Sequence, residues 1–580
     1  MASAYDKASL VMLPHATKDG KLYSVKPEDR SGDFTFSRGT DTATRVNSSG
    51  LIEKERSNQI LQSNSFDTTW INASTSEASG QADRNGGTDA WLLAKAGAGG
   101  YIYQAVSASG VFTQSIYAKA GTINWIRISN SGISSAIAYY DLSNGVVGTT
   151  LSGVVDASIE DVGSGWYRCV LVLNGTSGAI RIFPANGDND VSGSSGNIYI
   201  QDAMLNEGLV AQPYIETTTA AVYEGITDNL PRLDYSGGAS CPSLLLEPSR
   251  TNIVSHSEYF SLGSGYWGNT RCSIESNSII SPEGLVNASK LLQNPATTNA
   301  GLINATITAS GSNTFSFYAR KGTKDFARLS LYSSVETSAY FDLENGEIGT
   351  TNLIAEADCF IEDMGNDWYR CGATYSGATN RFNIYIADRD GQTTLLDASN
   401  AYIYIYGAQW EASASYVSSY IPTYGASASR AADGTQINPT SFLSADEGSW
   451  YVDLKNLEFS IKGTSLPTYF LGDSDSRCIG FIARAVGSDT IQICKREGAS
   501  AIELYTTPTN AAKVCFTWNG SNLKVFVDGV KQYDDNSFAN FTNWDVLIFN
   551  YSSRAALIEM NQNTLFPTQL TDAEAIALTA

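Results

Sequence analysis

The sequence predicts an all-β protein built from tandem antiparallel β-sandwiches. Three observations carry that prediction. Only 17% of the 580 residues are charged, against 51 Gly and 31 Tyr, the mix of short strands joined by many tight turns. Short runs such as "TINWIRIS" and "FNIYIAD" alternate apolar with polar positions and lie between Asn-Gly, Ser-Gly or Gly-Asn pairs. Whole phrases then return, in the same order, in a later part of the chain. The length exceeds what one core can serve, so several domains are expected.

Residues 1–55 come first. "KLYSVKP" and "FTFSRGT" are short strand candidates with loops between them. Acidic and basic residues nearly balance here, unlike in the rest of the chain. The segment is too small for a core of its own, so it packs on a neighbouring domain, another subunit or a larger assembly. We read it as an anchor.

Residues 56–217 and 250–433 read as two copies of one domain. "SIYAKAGT" at 115–122 returns as "SFYARKGT" at 316–323, and "YYDLSNGVVGTT" at 139–150 as "YFDLENGEIGTT" at 340–351. "IEDVGSGWYRC" at 159–169 returns as "IEDMGNDWYRC" at 361–371, and "RSNQILQSNSF" at 56–66 faces "RTNIVSHSEYF" at 250–260. The spacing drifts only by small loop insertions, and the period is far longer than the roughly 20–50 residues of a solenoid. Around nine strand candidates per copy fit a jelly roll. "SNG" and "ENG" inside the repeated phrase are tight hairpin turns, with Gly or Asn at positive φ.

The phrase "WYRC" invites a choice between chemistry and folding. On a strand, Tyr167, Cys169, Leu171 and Leu173 share one face and Trp166, Arg168 and Val170 the other; in the second copy Tyr369 and Cys371 oppose Trp368 and Arg370. The Tyr/Cys face stays apolar in both copies, which makes it the core face. Trp and Arg on the other face form a sugar platform or, alternatively, a framework in which Trp caps the sandwich and Arg ties down a loop. The retained turn before the strand favours the framework. The same reading applies to Trp70 and Trp267, each following an "RSN" or "RTN" segment.

Residues 218–249 form a Gly-, Pro- and Ser-rich connector in which "SLLLEP" is a strand candidate, an ordered bridge rather than a loose linker. From 434 to 580 the strand candidates include "GSWYVDLK", "KVCFTWNG" and "NLKVFVDGVKQY", the last a hairpin with an Asp-Gly turn. Thr571 with Glu574 is a capping box that opens a short helix.

The net charge of −22 repels phosphate, which argues against nucleic-acid binding and suits a neutral glycan or a protein partner better than an acidic one. The eight cysteines, Cys169, Cys241, Cys272, Cys359, Cys371, Cys478, Cys494 and Cys515, contain no C-x-x-C pair and read as small buried hydrophobes of a chain that folds in a reducing cytosol. No secretory signal pattern and no long apolar window is present, so neither Sec export nor membrane insertion is expected.

Catalytic constellations are sparse. The two histidines, His15 and His256, lie in different modules and read as structural or exposed. No H-E-x-x-H, G-x-S-x-G or P-loop occurs. Glu160/Asp161 and Glu362/Asp363 recur in both copies, but neighbours on a strand point to opposite faces and cannot act together on one substrate. They read as solvated residues before a turn. The loop "ANGDNDVSG" at 185–193 is acidic, without a D-x-D-x-D-G pattern.

Several stretches carry a resemblance. "YDKASLVMLP", "GDFTFSRGTDTATRVNSSGLIE", "NLPRLDYSGGASCPSLLLEPSRTNIVSHSEYF" and "GAQWEASASYVSSYIPTYGASASRAAD" resemble segments of phage structural proteins of the fibre or decoration kind, with carbohydrate-binding-like jelly rolls. "NLKVFVDGV" and "LFPTQLTDAEAIALT" look like the concanavalin A or laminin-G-like sandwich that follows them. One departure stands out: residues 56–217 sit between "GLIEKE" and "NLPRLDY", as an inserted extra copy. The resemblance implies a virion structural protein, in a head or tail fibre or on the surface, that adheres to host or environmental glycans. It implies a homotrimer, made in the host cytoplasm and exposed on the particle, whose N-terminal segment meets other virion proteins. Calcium is implied by resemblance alone, and no cofactor or metal is assigned. The chain is expected not to be an enzyme: catalytic, cofactor-binding and metal residues are none, and the glycan-binding residues are unassigned. A surface-polysaccharide depolymerase and a bacterial or prophage adhesin are the alternatives.

Overall fold

A computed structural model describes residues 4–261, 266–294, 301–304, 309, 311–332, 335–392, 394, 400–444, 446–459, 467–482, 490–498, 500–538, 543–550 and 556–580. The regular structure of the described residues is nearly all strand, arranged as three antiparallel sandwiches. Among them, no helix is long and apolar enough to cross a membrane.

The first sandwich pairs two six-stranded sheets. One runs, in spatial order, Asp156–Gly163, Trp166–Thr176, Ser109–Ala120, Asn197–Glu207, Ala90–Lys95 and Thr75–Gln81. The other runs Val146–Thr150, Ile137–Asp141, Trp125–Asn130, Ala179–Ala185, Tyr101–Ala105 and Ile71–Ala73. Alternation along each strand turns Ile102, Ile126, Ile128, Ile180 and Ile182 inward against Ile116, Cys169 and Leu171 of the opposite sheet.

The second sandwich repeats both orders strand for strand. Its sheets run Cys359–Asp363, Trp368–Ser376, Ser312–Lys321, Tyr402–Ala412, Ala288–Gln293, Cys272–Ile279, and Glu347–Asn352, Glu336–Asp342, Phe326–Tyr332, Arg381–Ala387, Gly301–Asn304, Trp267–Thr270. Irregularities recur too. The register slips between Ser115 and Tyr117 in one copy and between Ser316 and Tyr318 in the other. Opposite those slips, Asp202 (φ 54°) and Gly407 (φ 55°) take the left-handed conformation of a bulge. The repeated hairpin turns end in Gly145 and Gly346 at φ 66° and 70°, as read from the sequence. Asp141 and Asp342 brace them by accepting the Ser143 and Glu344 amides at 2.8 Å.

The third sandwich draws on more of the chain than residues 434–580. One of its sheets contains Glu447–Phe459, Ala556–Phe566, Ala512–Asn519, Asn522–Val527 and Val530–Asp535, and adds Ser243–Leu246, Arg232–Asp234 and Leu10–Met12. The other joins Thr17–Lys18, Lys21–Leu22 and Phe34–Ser37 to Gly434–Ile437, Val546–Phe549 and the strands from Tyr469 to Thr506. The segment drawn as a separate anchor and the segment drawn as a bridge therefore supply strands. Leu10, Met12, Leu22, Phe34, Phe36, Leu244 and Leu246 are buried around Trp450, Tyr469 and Phe516. Too short for cores of their own, both segments bury their apolar side chains in a neighbour's. Asp572–Thr579 is the expected helix, with Thr571 and Glu574 forming the capping box.

Five charges are sealed where these segments meet. Arg38, Arg232, Arg430, Glu247 and Asp433 have side chains 0% exposed. Arg232 Nη1 lies 2.6 Å from Glu247 Oε2, Arg430 Nη1 lies 2.9 Å from the same oxygen, and Arg38 Nη1 lies 3.1 Å from Asp433 Oδ1. Arg232 also bonds Asp433. Three guanidiniums against two carboxylates lock the N-terminal segment, the connector and the end of the second sandwich together.

The two jelly rolls are also clamped directly. Val111, Val170, Val172 and Leu209 of the first pack on Tyr259 and Tyr424 of the second, and the Val111 amide bonds the Tyr424 carbonyl. Lys54 enters the second jelly roll and pairs with Glu258 and Glu283, each at 3.0 Å.

Candidate functional site

The repeated Trp and Arg belong to the framework. Trp166 and Trp368 are each 1% exposed. Trp166 packs with Ala90 and Tyr117; Trp368 packs with Ile52, Tyr318 and Tyr420. The guanidiniums stack on Tyr117 and Tyr318 rather than on the tryptophans. Arg168 donates to the Gln212 carbonyl at 2.6 Å and Arg370 to the Ser418 carbonyl at 2.8 Å, which fixes the same following loop in both copies. Trp70 and Trp267 are buried and donate to the carbonyls of Gln62 and His256.

The other sequence candidates resolve as turns and packing. His15 is exposed, with Nδ1 2.9 Å from the Leu13 carbonyl. His256 is buried against the Tyr266 ring at 4.3 Å, and burial pushes its imidazole down to about 4. Asp161 and Asp363 accept the amides of Gly163 and Gly365 at 2.8 Å, while Glu160 and Glu362 stand exposed on the opposite side of their strands. In the 185–193 loop, Asp188 accepts the amide and hydroxyl of Thr149, and the Lys95 ammonium binds Asn186 Oδ1 and the Val191 carbonyl. Among the described residues no group of three or more His, Cys, Asp or Glu is placed to hold a metal. All eight cysteines are free, and all but Cys241 are buried.

A different surface brings aromatic and cationic side chains together. In the sheet from Val146–Thr150 to Ile71–Ala73, the positions that alternate with the core isoleucines face away from it. They are aromatic and cationic. Register sets Tyr139, Arg127 and Phe183 abreast, and Tyr101 continues the row with its ring 4.6 Å from that of Phe183. One step along, Ile137, Ser129, Arg181, Tyr103 and Ile71 form a second row, and Trp125 lies beyond the first. Four strands abreast span about 15 Å at ordinary inter-strand spacing. The Arg127 guanidinium lies 4.2 Å from the Phe183 ring centre, and that of Arg181 lies 5.4 Å from Tyr101. Trp125, Tyr101, Tyr103, Arg127 and Arg181 are all part-exposed.

The second sandwich keeps this row. Tyr340, Arg328 and Tyr385 are abreast, with the guanidinium 5.5 and 5.4 Å from the two ring centres, and Phe326 stands where Trp125 does. Where Tyr101 would stand there is Gly301, which leaves room for the Tyr385 ring. Arg328 Nη2 pairs with Glu336 Oε1 at 3.0 Å, and the Ser330 hydroxyl donates to the same oxygen at 2.6 Å. Arg381 stacks on the exposed Tyr332.

Such a face suits a carbohydrate. Flat rings offer an apolar plane to the C–H side of a pyranose, and guanidiniums and hydroxyls offer hydrogen bonds to its ring substituents. Buried polar atoms without partners lie along it in both copies: Arg127 Nε, Arg181 Nε and Ser129 Oγ, then Arg328 Nε, Thr337 Oγ1 and Asn383 Oδ1. The signal lay in "YIYQA" and "NWIRIS", whose off-core positions are aromatic and cationic rather than small and polar.

Two clefts lie between the sandwiches. One of about 720 Å³ is lined by Asp234, Glu362, Asp363, Lys455, Glu458 and Glu559 among others. The other, of about 440 Å³, holds Asp41, Glu55 and Glu207 between the two jelly rolls. There, burial and then Asp41, Glu207 and Asp228 push Glu55 up to about 8.

No protein-family model matches the chain, and no curated protein matches it. Solved structures with some similarity include domain 4 of a GH43 extracellular arabinanase from Geobacillus stearothermophilus in complex with arabinotriose. That match has 15% identity and a TM-score of 0.21, over 26% of this chain and 73% of that one. The N-terminal CBM22-1-CBM22-2 tandem domain of a Paenibacillus barcinonensis protein matches at 12% identity and a TM-score of 0.21, over 61% of this chain and 96% of that one. An arabinofuranosyltransferase from Mycobacteria matches at 8% identity and a TM-score of 0.15, over 86% of this chain and 37% of that one.

Proposed function

We propose that this chain is a phage virion structural protein, of a head or tail fibre or the particle surface, that displays two jelly rolls for adhesion to host or environmental glycans. The observation that carries the adhesive part is the row of aromatic rings and guanidiniums on the outward sheet of both copies. Two such faces held in one molecule add avidity, since the second contact forms at high effective concentration. The virion part rests on the resemblance in the N-terminal, connector and third-sandwich segments. In this reading residues 1–55, laid on the third sandwich, are the side that meets other virion proteins, in a trimer. The proposed activity is binding and not bond cleavage. Two measurements test it. Purified chain applied to a glycan array should bind, and Trp125→Ala with Phe326→Ala should weaken binding by about tenfold or more. Antibody against the chain should label purified particles; unlabelled particles reject the virion role, and a silent array rejects adhesion.

A further inference from the structure

The two faces differ in charge. In the second sandwich Glu336 sits against Arg328. In the first, its counterpart is Ser135, and Asn383 of the second is replaced by Arg181. Arg127 and Arg181 therefore share one face with no carboxylate or other acceptor among the described residues, only rings beside them. The first sandwich is described in full, so no unseen acid of this domain neutralises them. Between them Ser129, 3% exposed, holds its hydroxyl without a partner. At the Trp125 edge Asp141, abreast of Trp125, is already held by Ser143 and Asn144, and Asp188 by Thr149.

Two unpaired guanidiniums over aromatic rings have a specific chemical complement. A guanidinium fork matches a planar carboxylate in two parallel hydrogen bonds, and partial burial strengthens them. Resting on the glycan-display reading, we propose that the first sandwich takes a carboxylate-bearing saccharide, a uronate or sialate unit, while the second takes a neutral one. The carboxylate sits between Arg127 and Arg181, near Ser129, and the sugar ring lies on the part-exposed Tyr101 and Trp125, while Phe183, buried beneath the Arg127 guanidinium, holds that cation in place. The net charge of −22 does not forbid this. At physiological salt the screening length is about 8 Å, so the two local cations govern a ligand in contact with them.

Affinity electrophoresis of the full chain through polygalacturonate, and through the same polymer after reduction of its carboxyl groups, tests the proposal. The wild-type chain should be retarded at least about tenfold more strongly by the charged polymer, the scale of one charge-assisted hydrogen-bonded pair. Added salt should weaken that retardation. Arg127→Gln with Arg181→Gln should abolish the difference, and Lys119→Gln, a part-exposed cation on the opposite sheet of the first sandwich, should leave it. Equal retardation by both polymers overturns the acidic preference and leaves glycan display standing, as does a double variant that behaves like wild type. A chain retarded by neither polymer but bound to neutral glycans on the array also overturns it. Failure to bind any glycan on the array overturns the display reading itself.

Discussion

Trp166 and Trp125 belong to one sandwich and answer to different constraints. Trp166 is 1% exposed, so Trp166→Ala should cost about 3–5 kcal/mol of stability without altering the glycan affinity of the folded protein. Trp125 stands part-exposed on the outward face, and its loss should do the reverse. Thermal melts and a glycan array on both variants separate the cases. At the buried charge hub, Arg430→Ala leaves Glu247 short of a partner and should cost about 3–5 kcal/mol, read by urea unfolding. Burial works against the Glu247 charge, but Arg430 and Arg232 hold its carboxyl down at about 2. The hub's contribution is thus complete above the ordinary 4.5 and lost as the pH falls through about 2. Thiol chemistry gives a simpler check: only Cys241 is exposed, so one thiol per native chain should react rapidly with a disulfide reagent.

Strands and turns were the legible level. Alternation placed Cys169 and Leu171 inward and Trp166 outward, and the repeated Asn-Gly turns fell where Gly145 and Gly346 take positive φ. The capping box at Thr571 was equally plain. What resisted reading was pairing between distant segments. Leu10–Met12 is three residues long and carries no periodicity, so nothing local says that it joins Ala556–Phe566. The Arg127 row was hidden for a related reason: its members lie on separate strands, and only register brings them abreast. Gly110 is a further case, an unremarkable glycine at the start of a strand. It lies at φ 79° with its α-carbon against the Tyr424 carbonyl, and an added Cβ would come within 1.7 Å of that oxygen. Gly110→Ala should therefore part the two jelly rolls or cost about 1–3 kcal/mol in strain. Limited proteolysis near Tyr424 should be faster than in wild type.

At the scale of the molecule, the three sandwiches form a braced body. The acidic cleft between the jelly rolls is its pH-sensitive seam. Because Glu55 holds its proton up to about 8 when folded, its own contribution to stability is most favourable below the ordinary 4.5 and declines as the pH rises toward 8. Glu55→Gln should raise the melting temperature relative to wild type at pH 8 and leave it unchanged at pH 4.

The strand Leu10–Met12 waits for Ala556–Phe566. On a ribosome that wait lasts roughly half a minute to two minutes at ordinary synthesis speeds. Meanwhile both jelly rolls can close on themselves as they emerge, being made of contiguous sequence. A segment near residue 560 thus completes one near residue 10, and a nascent product cut short before it would carry a stretch of unsheathed apolar residues there. That exposed stretch is what chaperones and proteases recognise, so incomplete copies would be cleared.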